Sequence, residues 1–194
     1  MIIRKSFRFE NAHMVRNCST HRCRSSIHGH SYLIELFVTA DHLDDAGMIV
    51  DFSLLKGEVK SIIDTLDHTY IYWSQENDEY KGFIHKFSDR WIEFPVSPSC
   101  EWIAATLFFF IDLTLRHTTF ANGEGTVELS SIRVHETATG YAECFRHDKA
   151  IWGQLSVDQY RFSPGVLAEM NDPELFEKLK GDHLFQKQPP PKQI

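Results

Sequence analysis

The chain has 194 residues, 42% hydrophobic and 24% charged, a balance that excludes global disorder and is long enough for one core without disulfides. Its longest strongly apolar stretch, Ile103 to Ile111, is too short to span a bilayer, and no secretion leader is expected at the start. Twenty Lys and Arg against 27 Asp and Glu leave a net charge of -7, which argues against nucleic acid as a partner. The four cysteines, at 18, 23, 100 and 144, are expected as thiols in a reducing, cytoplasmic setting.

Ile2 to His13 reads as a strand, because Phe7 and Phe9 alternate with Arg8 and Glu10. Residues 14–27 have loop composition, and His28 to Ala40 reads as a second strand carrying Tyr32, Ile34, Phe37 and Val38. Asp41 to Gly47 is a turn cluster and Met48 to Val50 a short extended piece. Asp51 is placed as the cap of a helix to Leu66, with Leu54, Leu55, Val59, Ile62, Ile63 and Leu66 at helical spacing. Asp67 to Ser97 reads as mostly irregular. Pro98 and Ser99 open a second, largely apolar helix over Glu101 to Arg116. Thr126 to His135 and Tyr141 to Phe145 read as strands joined across Ala138, Thr139 and Gly140.

The order β-β-α-α-β-β predicts an α+β fold, a four-stranded antiparallel sheet with two helices on one face. Residues 1–149 are expected to form the domain and 150–194 a C-terminal extension. Within the extension, Asp172 is placed as the cap of a short helix opening at Pro173. Gln186 to Ile194, with three consecutive prolines, is expected to be disordered.

His28-Gly29-His30 is the most informative tripeptide. Side chains at i and i+2 of a strand share a face, and neutral imidazoles suit Zn²⁺. Two ligands are too few. His13, ending the first strand, supplies a third if the strands pair, and three His ligands leave the open position of a catalytic zinc site. A competing arrangement joins Cys18, Cys23, His28 and His30 into a closed Cys₂His₂ structural site; spacing alone leaves both open.

Acid–base groups surround these positions. Cys23 lies five residues before His28, where a nearby cation would favour its thiolate; Cys18 is its rival. In Asp67-His68 a carboxylate adjoins an imidazole that it could orient. Glu136-Thr137 enters a tight turn, where a carboxylate could accept two N–H bonds from a heterocycle edge. Glu101 sits near a helix start, with the sign that the helix dipole favours.

Taken in order, Phe9-Glu10-Asn11-Ala12-His13, Cys23, His28-Gly29-His30-Ser31-Tyr32, Met48-Ile49-Val50-Asp51-Phe52 with Lys56, Leu66-Asp67-His68, Pro98-Ser99-Cys100-Glu101 and Val134-His135-Glu136-Thr137 resemble the 6-pyruvoyl-tetrahydropterin synthase and 6-carboxytetrahydropterin synthase family. The resemblance covers about residues 1–147. It implies a tunnelling fold whose trimers close sheets into a barrel and stack in pairs, with active sites between subunits. It implies Zn²⁺ on His13, His28 and His30, Cys23 as base assisted by Asp67 and His68, and a pterin site including Glu136, with Glu101 and Thr137 among the substrate-binding residues. The implied substrate is 7,8-dihydroneopterin triphosphate. The implied product is 6-carboxy-5,6,7,8-tetrahydropterin, with 6-pyruvoyl-tetrahydropterin formation or a non-catalytic pterin- or purine-binding zinc module as alternatives. The four residues between Cys23 and His28 depart from the family pattern of three in bacterial carboxy-forming members and five in animal pyruvoyl-forming members. Arg16, Arg22 and Arg24 are the candidates for triphosphate.

Overall fold

The computed structural model describes residues 1–181 and 183–187. Nine strands occur among them: β1 (Ile3–His13), β2 (His28–Thr39), β3 (Thr69–Trp73), β4 (Trp91–Phe94), β5 (Thr118–Thr119), β6 (Glu128–His135), β7 (Tyr141–Phe145), β8 (Arg161–Phe162) and β9 (Phe185–Gln186). The helices are α1 (His21–Ser25), α2 (Glu58–Asp64), α3 (Asp78–Phe87), α4 (Cys100–Arg116), α5 (Lys149–Trp152), α6 (Pro164–Ala168) and α7 (Leu175–Lys180).

The α+β class and the β1–β2–β6–β7 core agree with the sequence reading. All three pairings there are antiparallel. The sheet is larger than expected, however, with seven strands in the order β7-β6-β2-β1-β3-β4-β8. Asp67 to Ser97, read as irregular, contains β3, α3 and β4, and β3 runs parallel to both β1 and β4. The cause is burial on both faces. Thr69, Tyr70, Ile71 and Tyr72 are all buried, so the alternation that marks a half-exposed strand is missing.

Alternation runs through the long hairpin, broken in β2 only at Glu35, which is buried as well. Tyr32, Ile34, Leu36 and Val38 of β2 are fully buried against the helical layer, where Phe9 of β1 stacks on Tyr32 at 4.9 Å between ring centroids. Helix α4 lies across β6 and β7. It is apolar on most sides, and Ser99 caps it by accepting from the Trp102 amide. The helix expected from Asp51 to Leu66 is shorter. Asp51 folds into a turn by accepting the Ser53 amide at 2.7 Å, a 3-10 turn follows at Leu54–Lys56, and α2 starts only at Glu58. Residues 14–27 hold the one-turn helix α1 where a loop was expected.

Residues beyond 149 pack into the same core. Trp152, Leu155, Val157, Tyr160, Val166, Leu175, Phe176 and Leu179 join the main hydrophobic cluster, and β8 pairs with β4. Asp172 accepts the Glu174 amide just outside α7 rather than capping a helix from Pro173. Gln186, expected in a disordered tail, pairs with Thr119 through β9; residues 188–194 lie outside the described residues. Among the described residues no helix is long and apolar enough to cross a membrane.

Phe176 stacks on Phe162 at 4.0 Å and meets Phe110 edge-on at 5.1 Å. Phe176→Ala should therefore lower stability by about 3–5 kcal/mol, read from urea unfolding. A loss below about 1 kcal/mol would mean that the extension does not share the core's cooperativity.

Candidate metal centre

The register of β1 on β2 sets His13 opposite His28 and Asn11 opposite His30. His13, His28 and His30 thus stand on one face of adjacent strands. Gly29 permits this approach, because a Cβ there would lie 2.8 Å from the Asn11 carbonyl oxygen. One ligand nitrogen from each imidazole lies within 4.8 Å of the other two.

Backbone carbonyls orient two of the rings. His13 Nδ1 lies 2.7 Å from the Pro98 carbonyl and His28 Nδ1 lies 3.0 Å from the Ser26 carbonyl. A carbonyl only accepts, so both Nδ1 atoms carry the proton and both Nε2 lone pairs are free. The Nε2 atoms of His13 and His30 are buried with no partner. Burial lowers the His13 pKa to about 4; the Pro98 bond opposes this and the neighbouring imidazoles add to it. Burial likewise lowers His30, against the opposing Glu136 carboxylate. These rings are neutral at pH 7, the form a metal requires. Buried nitrogens without partners, in neutral rings facing one point, fit a zinc ion.

Among the described residues this is the only group of His, Cys, Asp or Glu side chains with metal-binding geometry, so the Cys₂His₂ arrangement is not formed. Cys18 instead donates to the Thr20 carbonyl at 3.2 Å. Cys23 is half-buried on α1, held by the Val15 amide, which donates to its carbonyl at 3.0 Å.

Glu136 leaves β6 just beyond the His135–Leu33 pair, which brings it opposite Tyr32. The Tyr32 hydroxyl donates to Oε1 at 3.3 Å, and that oxygen lies 3.7 Å from His13 Nε2 and 3.9 Å from His30 Nε2. Burial holds the Tyr32 pKa far above its usual value, so the phenol remains a donor. Tyr32 was not among the expected site residues, although its position two residues after His30 places it on the same face.

Asp67 and His68 form a pair, with His68 Nδ1 2.9 Å from Asp67 Oδ2. Asp67 Oδ1 accepts the Glu10 amide at 2.7 Å, and the His68 amide donates to the Glu10 carbonyl at 2.6 Å. Burial raises the Asp67 pKa, but the Glu10 amide, His68 and Arg90 together outweigh it and hold it below the usual carboxylate range. The His68 ring is exposed and lines, with His30, Gly29 and Ser31, a shallow cavity of about 480 Å³.

Other expected residues stand elsewhere. Glu101 lines a separate cavity of about 390 Å³ with Trp102, Ala142 and Cys144. Thr137 Oγ1 accepts the Gly140 amide at 3.0 Å and closes the β6–β7 turn. Arg16, a triphosphate candidate, is engaged by Glu76 at 2.5 and 2.9 Å. Arg24 donates to the Cys18 carbonyl at 2.9 Å, whereas Arg22 is exposed.

Two solved structures share the fold. An uncharacterized protein from Wolinella succinogenes superposes with a TM-score of 0.61 at 19% identity, covering 75% of this chain and 98% of its own. The 6-pyruvoyl tetrahydropterin synthase of Caenorhabditis elegans gives 0.52 at 19% identity, covering 75% and 94%. Fold and site define a tunnelling-fold protein with a three-histidine cluster able to hold a metal ion.

The family model for 6-pyruvoyl tetrahydropterin synthase matches residues 2–147. A 6-carboxy-5,6,7,8-tetrahydropterin synthase from Helicobacter pylori strain J99 is 36% identical over 185 residues, 94% of this chain and 92% of the relative. That from Aquifex aeolicus is 31% identical over 159 residues, 73% of this chain and 95% of the relative. The chain belongs to the 6-pyruvoyl tetrahydropterin synthase family and is a lyase. The Helicobacter match runs beyond the family model's end and takes in most of the extension.

The His13 shift carries a pH prediction for the metal-free protein. Its folded value of about 4 lies below the 6.5 of the free side chain, so the unfolded chain binds the proton more tightly. The His13 contribution is whole above pH ~6.5 and is lost as pH falls toward ~4, on the order of 3 kcal/mol. Urea unfolding of metal-free protein across this range, with His13→Gln as reference, checks it. Parallel pH profiles for the two proteins would show that His13 is not buried as described.

Proposed function

We propose that the chain is a zinc-dependent lyase that converts 7,8-dihydroneopterin triphosphate and water to 6-carboxy-5,6,7,8-tetrahydropterin, acetaldehyde and triphosphate, a step toward deazapurines such as queuosine. The observation that carries this reading is the His13, His28 and His30 cluster on paired strands, in which the Nε2 atoms of His13 and His30 are buried without a partner. The relatives named for the carboxy-forming reaction favour that product.

His13, His28 and His30 hold the metal, and none of them needs to move a proton. Bound zinc supplies Lewis-acid polarisation of the substrate's side-chain oxygens. Cys23, on α1 in the connection between the two ligand-bearing strands, removes and returns protons at the side-chain carbons. Asp67 holds the His68 ring through Nδ1 and leaves the other ring nitrogen free, so that His68 can relay protons. Glu136, fixed by the Tyr32 hydroxyl, receives the amidine-like edge of the pterin. Glu101 and Thr137 complete the substrate pocket where subunits meet. Two stacked trimers would bring these groups together, with the edge strand β7 and its exposed Tyr141 and Phe145 available for pairing between subunits. The enzyme would act in the cytoplasm.

Product analysis by mass spectrometry after incubation with dihydroneopterin triphosphate tests the reading. The carboxylated pterin and an equivalent of acetaldehyde are expected. A 6-pyruvoyl product without acetaldehyde would move the chain to the pyruvoyl-forming branch. Tight binding without triphosphate release would leave only a pterin-binding zinc module.

Two cysteine variants test the base. Cys23→Ala should lose turnover while keeping zinc and pterin binding, because the three imidazoles complete the protein's share of the metal shell without sulfur. Cys18→Ala should be nearly silent, since its thiol turns toward the Thr20 carbonyl. Steady-state rates and zinc content decide; an active Cys23→Ala with a dead Cys18→Ala would transfer the role to Cys18.

A further inference from the structure

The C-terminal extension reaches the Asp67–His68 pair through one side chain. Arg90 precedes β4, beside the strand that begins immediately after His68. Its guanidinium is largely buried and spends all three nitrogens on four acceptors. Nε donates to the Asp67 carbonyl at 3.1 Å and Nη2 to the Asp64 carbonyl at 3.3 Å. Nη1 donates to the Gly165 carbonyl at 3.4 Å and to Glu169 Oε2 at 2.5 Å. Two of these acceptors belong to the dyad and to the end of α2, and two belong to the extension.

The extension is seated for this contact. Ser163 is fully buried, and its Oγ accepts the Trp91 amide at 3.1 Å and the Val166 amide at 3.2 Å. The Ser163 amide donates back to the Trp91 carbonyl at 3.0 Å. This clamp fixes the start of α6 against the residue next to Arg90. Only glycine fits at position 165, because a Cβ there would lie 2.5 Å from the Asp89 carbonyl and carboxylate oxygens. Together these residues wall a cavity of about 550 Å³ lined by Asp67, His68, Arg90, Val166 and Glu169.

The dyad needs such support. His68 has φ +53°, a left-handed backbone that a non-glycine residue holds only when its surroundings enforce it. Glu10 grips the turn from β1, but the Asp67 carbonyl is held by Thr69 Oγ1 at 3.0 Å and Arg90 Nε alone among the described side chains. A planar guanidinium with fixed donors can bridge α2, the turn and α6 at once, which an ammonium cannot.

We propose that Arg90 is a positioning residue through which the C-terminal extension holds the Asp67–His68 pair in its working geometry. This rests on the reading of that pair as a proton relay. The extension is then part of the active-site scaffold and not only of the core.

The test compares Arg90→Gln, Glu169→Gln and His68→Ala in the zinc-loaded full chain. Turnover of dihydroneopterin triphosphate is read together with hydrogen exchange at the His68 amide. Arg90→Gln should lower kcat by ~10–100-fold, the usual effect of losing an outer-shell orienting group, with KM within about threefold. The His68 amide should exchange at least ~10-fold faster as the turn loosens. Glu169→Gln, an exposed change that leaves the fold intact, should shift both in the same direction by a few-fold. Wild-type kcat and protection in Arg90→Gln, with His68→Ala inactive, would overturn the brace and leave the relay standing. Full activity in His68→Ala would instead remove the relay, and the exchange result would still report whether Arg90 holds the turn. Should Arg90→Gln fail to assemble, wild-type values in Glu169→Gln would refute the link to the extension.

Discussion

Strand β1 pairs with β2 in unbroken register from Ile3–Val38 to His13–His28, and the candidate chemistry depends on that pairing. A slip of one residue would turn His28 and His30 to the opposite face and separate them from His13. The hydrophobic alternation of Tyr32, Ile34, Leu36 and Val38 against the helical layer prevents the slip, since it would expose four fully buried side chains. Packing in the core thus sets the place of each imidazole at the far end of the same strands. Gly29 then permits the close approach of the strands, and the Pro98 and Ser26 carbonyls fix which nitrogen His13 and His28 present.

The arrangement has a cost that a bound metal ion would offset. A buried polar atom without a partner destabilises a fold by about 1–3 kcal/mol, and His13 and His30 each carry one. Three imidazoles facing one point form a poor core but a ready ligand set, and metal binding would offset the desolvation. Glu136 and its Tyr32 donor sit against the same nitrogens, so the negative group nearest the cluster is itself oriented. Around this rigid centre, Cys23 lies on a one-turn helix, and the Asp67–His68 turn is gripped by Glu10, Thr69 and Arg90.

Much of this was legible in the sequence where a period or a local motif carried it. Alternation around Phe7 and Phe9 marks the strand Ile2–His13, the β-forming residues Tyr32, Ile34, Phe37 and Val38 mark the strand His28–Ala40, and His28-Gly29-His30 marks the metal face. Adjacency pairs Asp67 with His68, the strand end puts Glu136 at a turn, and the family resemblance adds their implied roles. What escaped were features without a local signature. The strands Thr69–Trp73 and Trp91–Phe94 are buried on both faces and show no alternation, and Arg161–Phe162 is too short to show a period. The bond from Glu10 to Asp67 spans 57 residues and uses a backbone amide, which every residue possesses. Arg16 stands in the loop beside Cys23, but its partner Glu76 comes from the β3–α3 connection that the sequence left shapeless. Residues 150–194 read as an extension because the character of the sequence changes there and the family resemblance ends near residue 147. Its aromatics nonetheless complete the core around Phe110.

Zinc K-edge X-ray absorption on the metal-loaded protein tests the three-imidazole centre most directly. Three nitrogen ligands at ~2.0–2.1 Å, one oxygen and no sulfur are expected. A sulfur shell at ~2.3 Å would place Cys18 or Cys23 on the metal and contradict both the three-histidine centre and the assignment of Cys23 as a free base.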